Sequence, residues 1–186
     1  MPHYRSLNRA VVKLLRQGKI GVLPTDTIYG LVASAMKPAS VERVYRVRKR
    51  DPRKPMIVLI SSMNDLRKFG IRPAAATRKI LGAVWPGPVS VILPCRGLKY
   101  AYLHRDTSSL AFRLPTPPSL RKFLKQSGPL VAPSANPESK PPAETVAAAK
   151  RYFGANADFY VDVGRRTGKP SELIKIVGAS KKILRS

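Results

Sequence analysis

Short continuous apolar runs alternate with segments of helical period from one end of this chain to the other, and that alternation constrains its fold more than any other feature. The runs are Ile20 to Leu23, Met56 to Ile60, Val89 to Leu93, Leu110 to Leu114, Leu130 to Ala132, Phe159 to Val163 and Leu173 to Val177. Each has the length and apolar character of a buried strand. Between them, Leu7, Val11, Leu14 and Leu15 fall at i, i+4, i+7 and i+8, one face of a helix that Gly18 can stop. A second helix has Val41, Val44 and Tyr45 inward, with Ser40 placed to cap it. Leu66 and Phe69 suit a short helix, and Ala74 to Val84 a longer one facing the core with Ile80, Leu81 and Val84. Pro118 suits the first turn of a helix carrying Leu120, Phe123 and Leu124 and closed by Gly128. A last helix is expected from about Ala143 to Tyr152, stopped by Gly154. Residues 96–107 show no period and read as a loop. Interleaved elements without a linker or repeat predict a single layered α/β (α+β) domain over 1–186. The strand directions stay open.

Composition narrows the partners. Thirty-five Lys and Arg against ten Asp and Glu give a net charge of +25 over 186 residues. The excess divides almost equally between the two halves, so the positive field belongs to the fold, not to a tail, and it attracts polyanions. Cys95 is the single cysteine and His3 and His104 the only histidines. That leaves no disulfide, no cysteine cluster for a metal, and little from which to build a zinc site or a Ser-His-Asp triad. No apolar run approaches the ~20 residues of a membrane span, and the start lacks a signal-peptide core, so the expected location is the cytoplasm.

Chemistry concentrates at strand ends. Leu23-Pro24 runs into Thr25, Asp26, Thr27 and Tyr29 before Gly30. A hydroxyl-rich loop after a strand is a common ligand site in α/β proteins, although Thr and Asp also serve as plain turn anchors. Ser134 with Asn136 follows the run at Leu130, either as a ligand pair or as turn caps. Ser171 with Glu172 opens the last run. Arg48 to Lys54 is the densest basic cluster, broken by Pro52 and Pro55 and expected on a loop. Arg113 stands inside an apolar strand behind Ser108 and Ser109; a charge there needs a ligand or a buried carboxylate, because an unpaired buried charge costs several kcal/mol. Hydroxyls, an amide and several guanidiniums suit phosphate and carboxylate. Neither a P-loop nor a Gly-x-Gly-x-x-Gly motif is present, so a nucleotide would need another device.

Five stretches in order resemble the YrdC family. They are Leu23-Pro24-Thr25-Asp26-Thr27-Ile28-Tyr29-Gly30-Leu31, the basic loop before Lys54-Pro55-Met56-Ile57-Val58, Trp85-Pro86-Gly87-Pro88-Val89, Leu110-Ala111-Phe112-Arg113-Leu114-Pro115, and Ala132-Pro133-Ser134-Ala135-Asn136. The likeness covers about residues 8–186. It implies a twisted mixed sheet with helices on both faces, related to that of a riboflavin-pathway synthase (RibB-like), and a basic concave cleft. It also implies a threonylcarbamoyl-AMP synthase: threonine and bicarbonate give a carbamate that attacks the α-phosphate of ATP, releasing pyrophosphate with Mg2+ assisting. Transfer proteins then carry the product group to tRNA beside the anticodon.

By resemblance, the family's Lys-x-Arg and Ser-x-Asn tetrad maps to Arg48, Arg50, Ser134 and Asn136 as catalytic and ATP-binding residues. Thr25, Ser109 and Arg113 map to threonine contacts, and Ser171 to the nucleotide side. No residue maps to a metal ligand. Three departures stand out: Arg48 replaces the family lysine, Glu138-Ser139 replaces Ser-Gly, and Lys175 replaces an acidic residue. The main alternative is a non-enzymatic RNA-binding or ribosome-maturation protein of the same fold, suggested by the +25 charge. A carbamoyltransferase role is disfavoured because this chain has no room for the extra domains, and riboflavin-pathway chemistry because there is no acidic cluster.

Overall fold

The computed structural model describes residues 2–177 and 180–185. In chain order the elements are β1 (His3–Tyr4), α1 (Arg9–Arg16), β2 (Gly21–Pro24), β3 (Tyr29–Ser34), α2 (Pro38–Arg48), β4 (Val58–Leu59), α3 (Ala75–Val84), β5 (Val89–Pro94), α4 (Ala101–His104), β6 (Ser109–Arg113), α5 (Pro118–Ser127), β7 (Leu130–Val131), α6 (Val146–Phe153), β8 (Phe159–Val161), β9 (Glu172–Val177) and β10 (Ser180–Arg185). The strands form one sheet in the order β1-β8-β2-β3-β7-β4-β6-β5-β9-β10. Pairing is mixed: β1–β8, β8–β2, β4–β6 and β5–β9 are parallel, and the other neighbours antiparallel.

The continuous apolar runs follow from this architecture, because both faces of the sheet are covered and successive side chains point to opposite faces. On one face Val22, Leu31, Val58, Phe112, Val91 and Ile174 join a core with α2, α3, α4 and α6. On the other, Leu23, Val32, Leu59 and Leu130 pack under Val11, Val12 and Leu15 of α1 and Leu120, Phe123 and Leu124 of α5. Burying each such side chain contributes about 1.5–3 kcal/mol. The second face is covered only in part. Across β6, β5 and β9 the same register puts Ala111 beside Ile92, and Ile92 beside Lys175. Ala111, Ile92 and Leu173 there line an open cavity instead of a helix.

Most expected elements are present, and the differences have local causes. Helix α1 is capped by Asn8, whose Oδ1 accepts from Val11 N, and Gly18 ends it at φ +89°. The second helix starts at Pro38, so Ser40 is not its cap; the Ser40 hydroxyl donates to Gly18 O at 2.7 Å, tying α2 to the end of α1. The same helix runs through Arg48, and the basic loop begins only at Lys49, which adopts a left-handed conformation. Of the α3 positions expected inward, only Leu81 is fully buried. The 96–107 segment contains a 3-10 turn (Leu98–Tyr100) and the short α4. Helix α6 begins after Thr145, whose side chain caps it. Pro24 is the last residue of β2 and is still registered with Tyr29, so the Thr25–Ile28 segment is a hairpin loop.

Candidate active site

A cavity of about 370 Å³ opens on the uncovered part of the second face. Strand periodicity puts Ser109, Ala111 and Arg113 of β6 on it at i, i+2 and i+4, while Leu110 and Phe112 turn into the core. The β2–β3 hairpin brings Thr25 and Thr27. Main-chain bonds from Leu31 N to Pro133 O (3.0 Å) and Ala135 N to Tyr29 O (2.9 Å) lay the segment after β7 against the start of β3, which brings Ser134 to the same wall. Arg48 arrives from the end of α2 and Arg50 from the loop after it. Ser171 precedes β9, and Arg185 ends β10. Among the described residues, the lining thus carries four arginines and no carboxylate.

Arg48 is buried, and its Nε donates to Asn136 O at 2.8 Å while Nη2 reaches Ser134 Oγ at 3.3 Å. Burial first, and the nearby Arg50 second, pull its pKa down to about 10, so it stays cationic at neutral pH. Its Nη1 is buried without a partner among the described residues. Arg50 bends onto its own loop, donating to Lys54 O and Pro55 O at 3.1 and 3.0 Å. Arg113 pairs with Asp26 at 2.9 Å, the two side chains 4% and 3% exposed. The buried charge in the apolar strand therefore has its carboxylate, and Asp26 is an arginine partner. Burial lowers the Arg113 pKa, and Asp26 opposes that shift. Arg113 Nη2 also lies 3.5 Å from Thr27 Oγ1.

The hydroxyls are more committed than their spacing suggests. Thr25 Oγ1 donates to Ile28 O at 2.7 Å and accepts from Thr27 N at 3.3 Å, closing the hairpin loop. Ser171 Oγ lies 2.9 Å from Ser90 Oγ. Ser109 Oγ donates to Thr107 Oγ1 at 3.3 Å. Thr25, Ser109, Arg113, Arg48, Arg50, Ser134 and Ser171 all meet on the cavity wall. Asn136 does not. Its amide donates to Pro137 O and Lys140 O at 2.8 and 2.7 Å, and it sits behind Arg48.

Two polar lining groups escaped the sequence reading, Thr107 and Arg185, whereas Thr27 belongs to the hydroxyl-rich loop that it singles out. Arg185 is largely exposed, but its Nη2 donates to Ser171 O at 2.8 Å, and partial desolvation of the guanidinium followed by Arg50 lowers its pKa. Glu138, a departure from the YrdC pattern, has a definite role. Its carboxylate accepts from Asp51 N at 2.6 Å and from Lys54 Nζ at 3.0 Å, which holds the basic loop in place.

The arrangement suits a polyanion laid along an apolar floor, with a second charged pocket at Arg113. It does not suit a protein-built Mg2+ cage: the wall has no carboxylate, and no group of three His, Cys, Asp or Glu converges among the described residues. No described helix is long and apolar enough to cross a membrane.

Comparison with known proteins points the same way. A model of the Sua5/YciO/YrdC family, described as telomere recombination, matches residues 13–186. The threonylcarbamoyl-AMP synthase of Nitrosococcus oceani is 31% identical over 168 residues, covering 89% of this chain and 90% of its own. The crystal structure of P. abyssi Sua5 complexed with L-threonine is similar with a TM-score of 0.88 at 25% identity, over 99% of this chain and 56% of its own. This chain therefore spans just over half the length of that protein. YciO of E. coli is similar in fold, with a TM-score of 0.83 at 20% identity over 100% of this chain and 93% of its own.

Proposed function

This chain belongs to the Sua5/YciO/YrdC family, and from that premise we infer that it is an enzyme, a threonylcarbamoyl-AMP synthase that uses ATP and L-threonine. The observation that carries the reading is the cavity wall, where the described residues put four arginines and no carboxylate, beside a hydroxyl-rich hairpin. Bicarbonate is the third substrate. The threonine amine attacks its carbon with loss of water; a carbamate oxygen then attacks the α-phosphorus as the bond to the β-phosphate breaks. The products are threonylcarbamoyl-AMP and pyrophosphate.

Such a step needs alignment and neutralisation of charge more than a strong base, which fits a wall with no histidine or cysteine. Arg48, Arg50 and Ser134 act on the triphosphate, with Asn136 holding Arg48 from behind. Arg185 and Ser171 extend that positive wall. Arg113 takes the threonine carboxylate, with Thr25, Thr27 and Ser109 around it. Mg2+ would accompany the nucleotide as its counter-ion. The protein acts in the cytoplasm and hands its product to transfer proteins that act on tRNA.

The test is pyrophosphate release by the purified chain, with the adenylate identified by mass spectrometry. Product requiring ATP, threonine and bicarbonate together supports the reading, with Arg50→Ala and Asn136→Ala each losing turnover. Wild-type turnover in either variant overturns that role. The +25 charge favours one rival, an RNA-binding module without turnover. Salt-steep RNA binding with no threonine-dependent pyrophosphate would establish it.

A further inference from the structure

The loop that carries Thr25 and Thr27 does not hold its shape alone. A second segment, residues 163–170 between β8 and β9, is fastened along it. Tyr29 OH donates to Gly164 O at 2.7 Å and accepts from Val163 N at 3.0 Å. Arg166 Nη2 donates to Thr25 O at 2.7 Å. The Arg166 backbone is itself fixed, since its N–H donates to Glu144 O at 2.8 Å just ahead of α6. Glu144 also pairs with Arg165 at 2.7 Å. At Gly168 the two segments touch: a Cβ there would lie 2.4 Å from Thr27 O and 3.2 Å from Thr27 C. Gly168 is not among the positive-φ glycines, so a left-handed conformation is not its reason for being glycine. Close approach of two backbones is. The opposing atoms are main chain, so no side chain can swing aside to admit a methyl group.

We propose that Arg166 and Gly168 are positioning residues for the amino-acid substrate: they press the Thr25–Thr27 loop into register with Arg113 and thereby set affinity for threonine, not for nucleotide. This rests on the reading of that end of the cavity as the threonine end. Neither residue lines the cavity, so each acts through the loop. Thr25 supplies the lever. Its N–H and its hydroxyl both meet Ile28 O, and its carbonyl is the atom Arg166 holds. A shift there moves Asp26 and Thr27 together, and with them both neighbours of Arg113.

The experiment uses the full chain with Arg166→Ala, Arg166→Lys and Gly168→Ala, and two readouts. Amide hydrogen exchange without ligand reports whether residues 25–29 loosen. Initial rates with threonine and ATP varied separately report which substrate is affected. In Arg166→Ala and Gly168→Ala, exchange at 25–29 rises and the KM for threonine rises about tenfold, the scale of losing one net hydrogen bond, with the KM for ATP within about twofold. Arg166→Lys, which keeps one donor, recovers most of the threonine KM. An unchanged threonine KM, or an equal rise in both KM values, overturns the proposal. If Arg166→Ala does not fold, the lysine variant and Gly168→Ala decide it. If the wild-type chain turns over no threonine, the functional reading falls; unchanged exchange at residues 25–29 in the variants would separately remove the fastening role.

Discussion

Arg48 Nε donates to the carbonyl oxygen of Asn136 at 2.8 Å, joining the last residue of α2 to the turn that follows β7. Ser134 accepts from the same guanidinium, and Glu138 N donates back to Arg48 O at 2.8 Å. A planar fork can serve both oxygens at once; a lysine ammonium on a single stem cannot do so in the same geometry. Arg48→Lys, which installs the residue expected from the YrdC pattern, should therefore cost about 1–2 kcal/mol of stability while keeping the charge. Turnover should stay within about tenfold of wild type, whereas Arg48→Ala should lose about 100-fold or more. Urea unfolding and pyrophosphate release measure the two effects. Equal turnover in both variants would remove charge from the role given to Arg48.

The Asp26–Arg113 pair is buried on both sides, and Arg113 Nε has no partner among the described residues. Asp26→Asn removes the compensating charge and leaves the cation in place. Breaking such a pair from one side costs about 3–5 kcal/mol. In a chain of this size that amounts to a fall in Tm on the order of 10 °C. Thermal unfolding checks this, and a fall of only a degree or two would mean that solvent reaches Arg113 in solution.

Ser139 is exposed and adopts φ +72°, where an L side chain is disfavoured. It stands where the YrdC pattern has glycine. Ser139→Gly should relieve that strain, partly offset by the greater freedom of the unfolded glycine chain, for a net gain of about 0.5–1 kcal/mol. Ser139→Ala, which keeps the Cβ, is the control and should gain nothing. Chemical denaturation of the three proteins separates these outcomes.

These residues also show what could be read before folding. Arg113 was legible because a charge inside an apolar strand demands a counter-charge, and Asp26 supplies it. The buried strands are legible because their runs are continuously apolar, while helices on both faces of the sheet are what the YrdC resemblance implies. Sequence puts Arg48 on a loop with its basic neighbours, because its buried Nε bonds a carbonyl 88 residues away, which no local pattern encodes. Arg185 was missed for a related reason. Every residue of β10 is exposed, so the strand has no apolar run, and it exists through pairing with β9. That pairing sets Lys182 opposite Lys175, a like-charge contact that propensity alone would not choose. Asn136 resembles a ligand in sequence, yet its side chain is spent on the carbonyls of its own turn.

Asp65 links pH to the stability of the core beneath this cavity. It lies in the 3-10 turn Met63–Phe69 that follows β4, the strand whose Leu59 is registered with Arg113. Burial alone would raise its pKa, but the ammonium of Lys68 at 2.6 Å and the hydroxyl and N–H of Ser61 at 2.6 and 2.8 Å outweigh burial and leave it lowered. A carboxylate with a depressed folded-state pKa stabilises the fold fully above its unfolded value, near 4, and loses that contribution as pH falls through the folded value. Asp65→Asn should thus cost about 1–2 kcal/mol at pH 7 and progressively less below pH ~4, with the two proteins converging once the carboxyl is protonated. Urea unfolding of both proteins at pH 7 and at pH ~2.5 reads the difference directly. A penalty of the same size at both pH values would mean that Asp65 acts through its shape and neutral hydrogen bonds, and that the Lys68 contact contributes nothing.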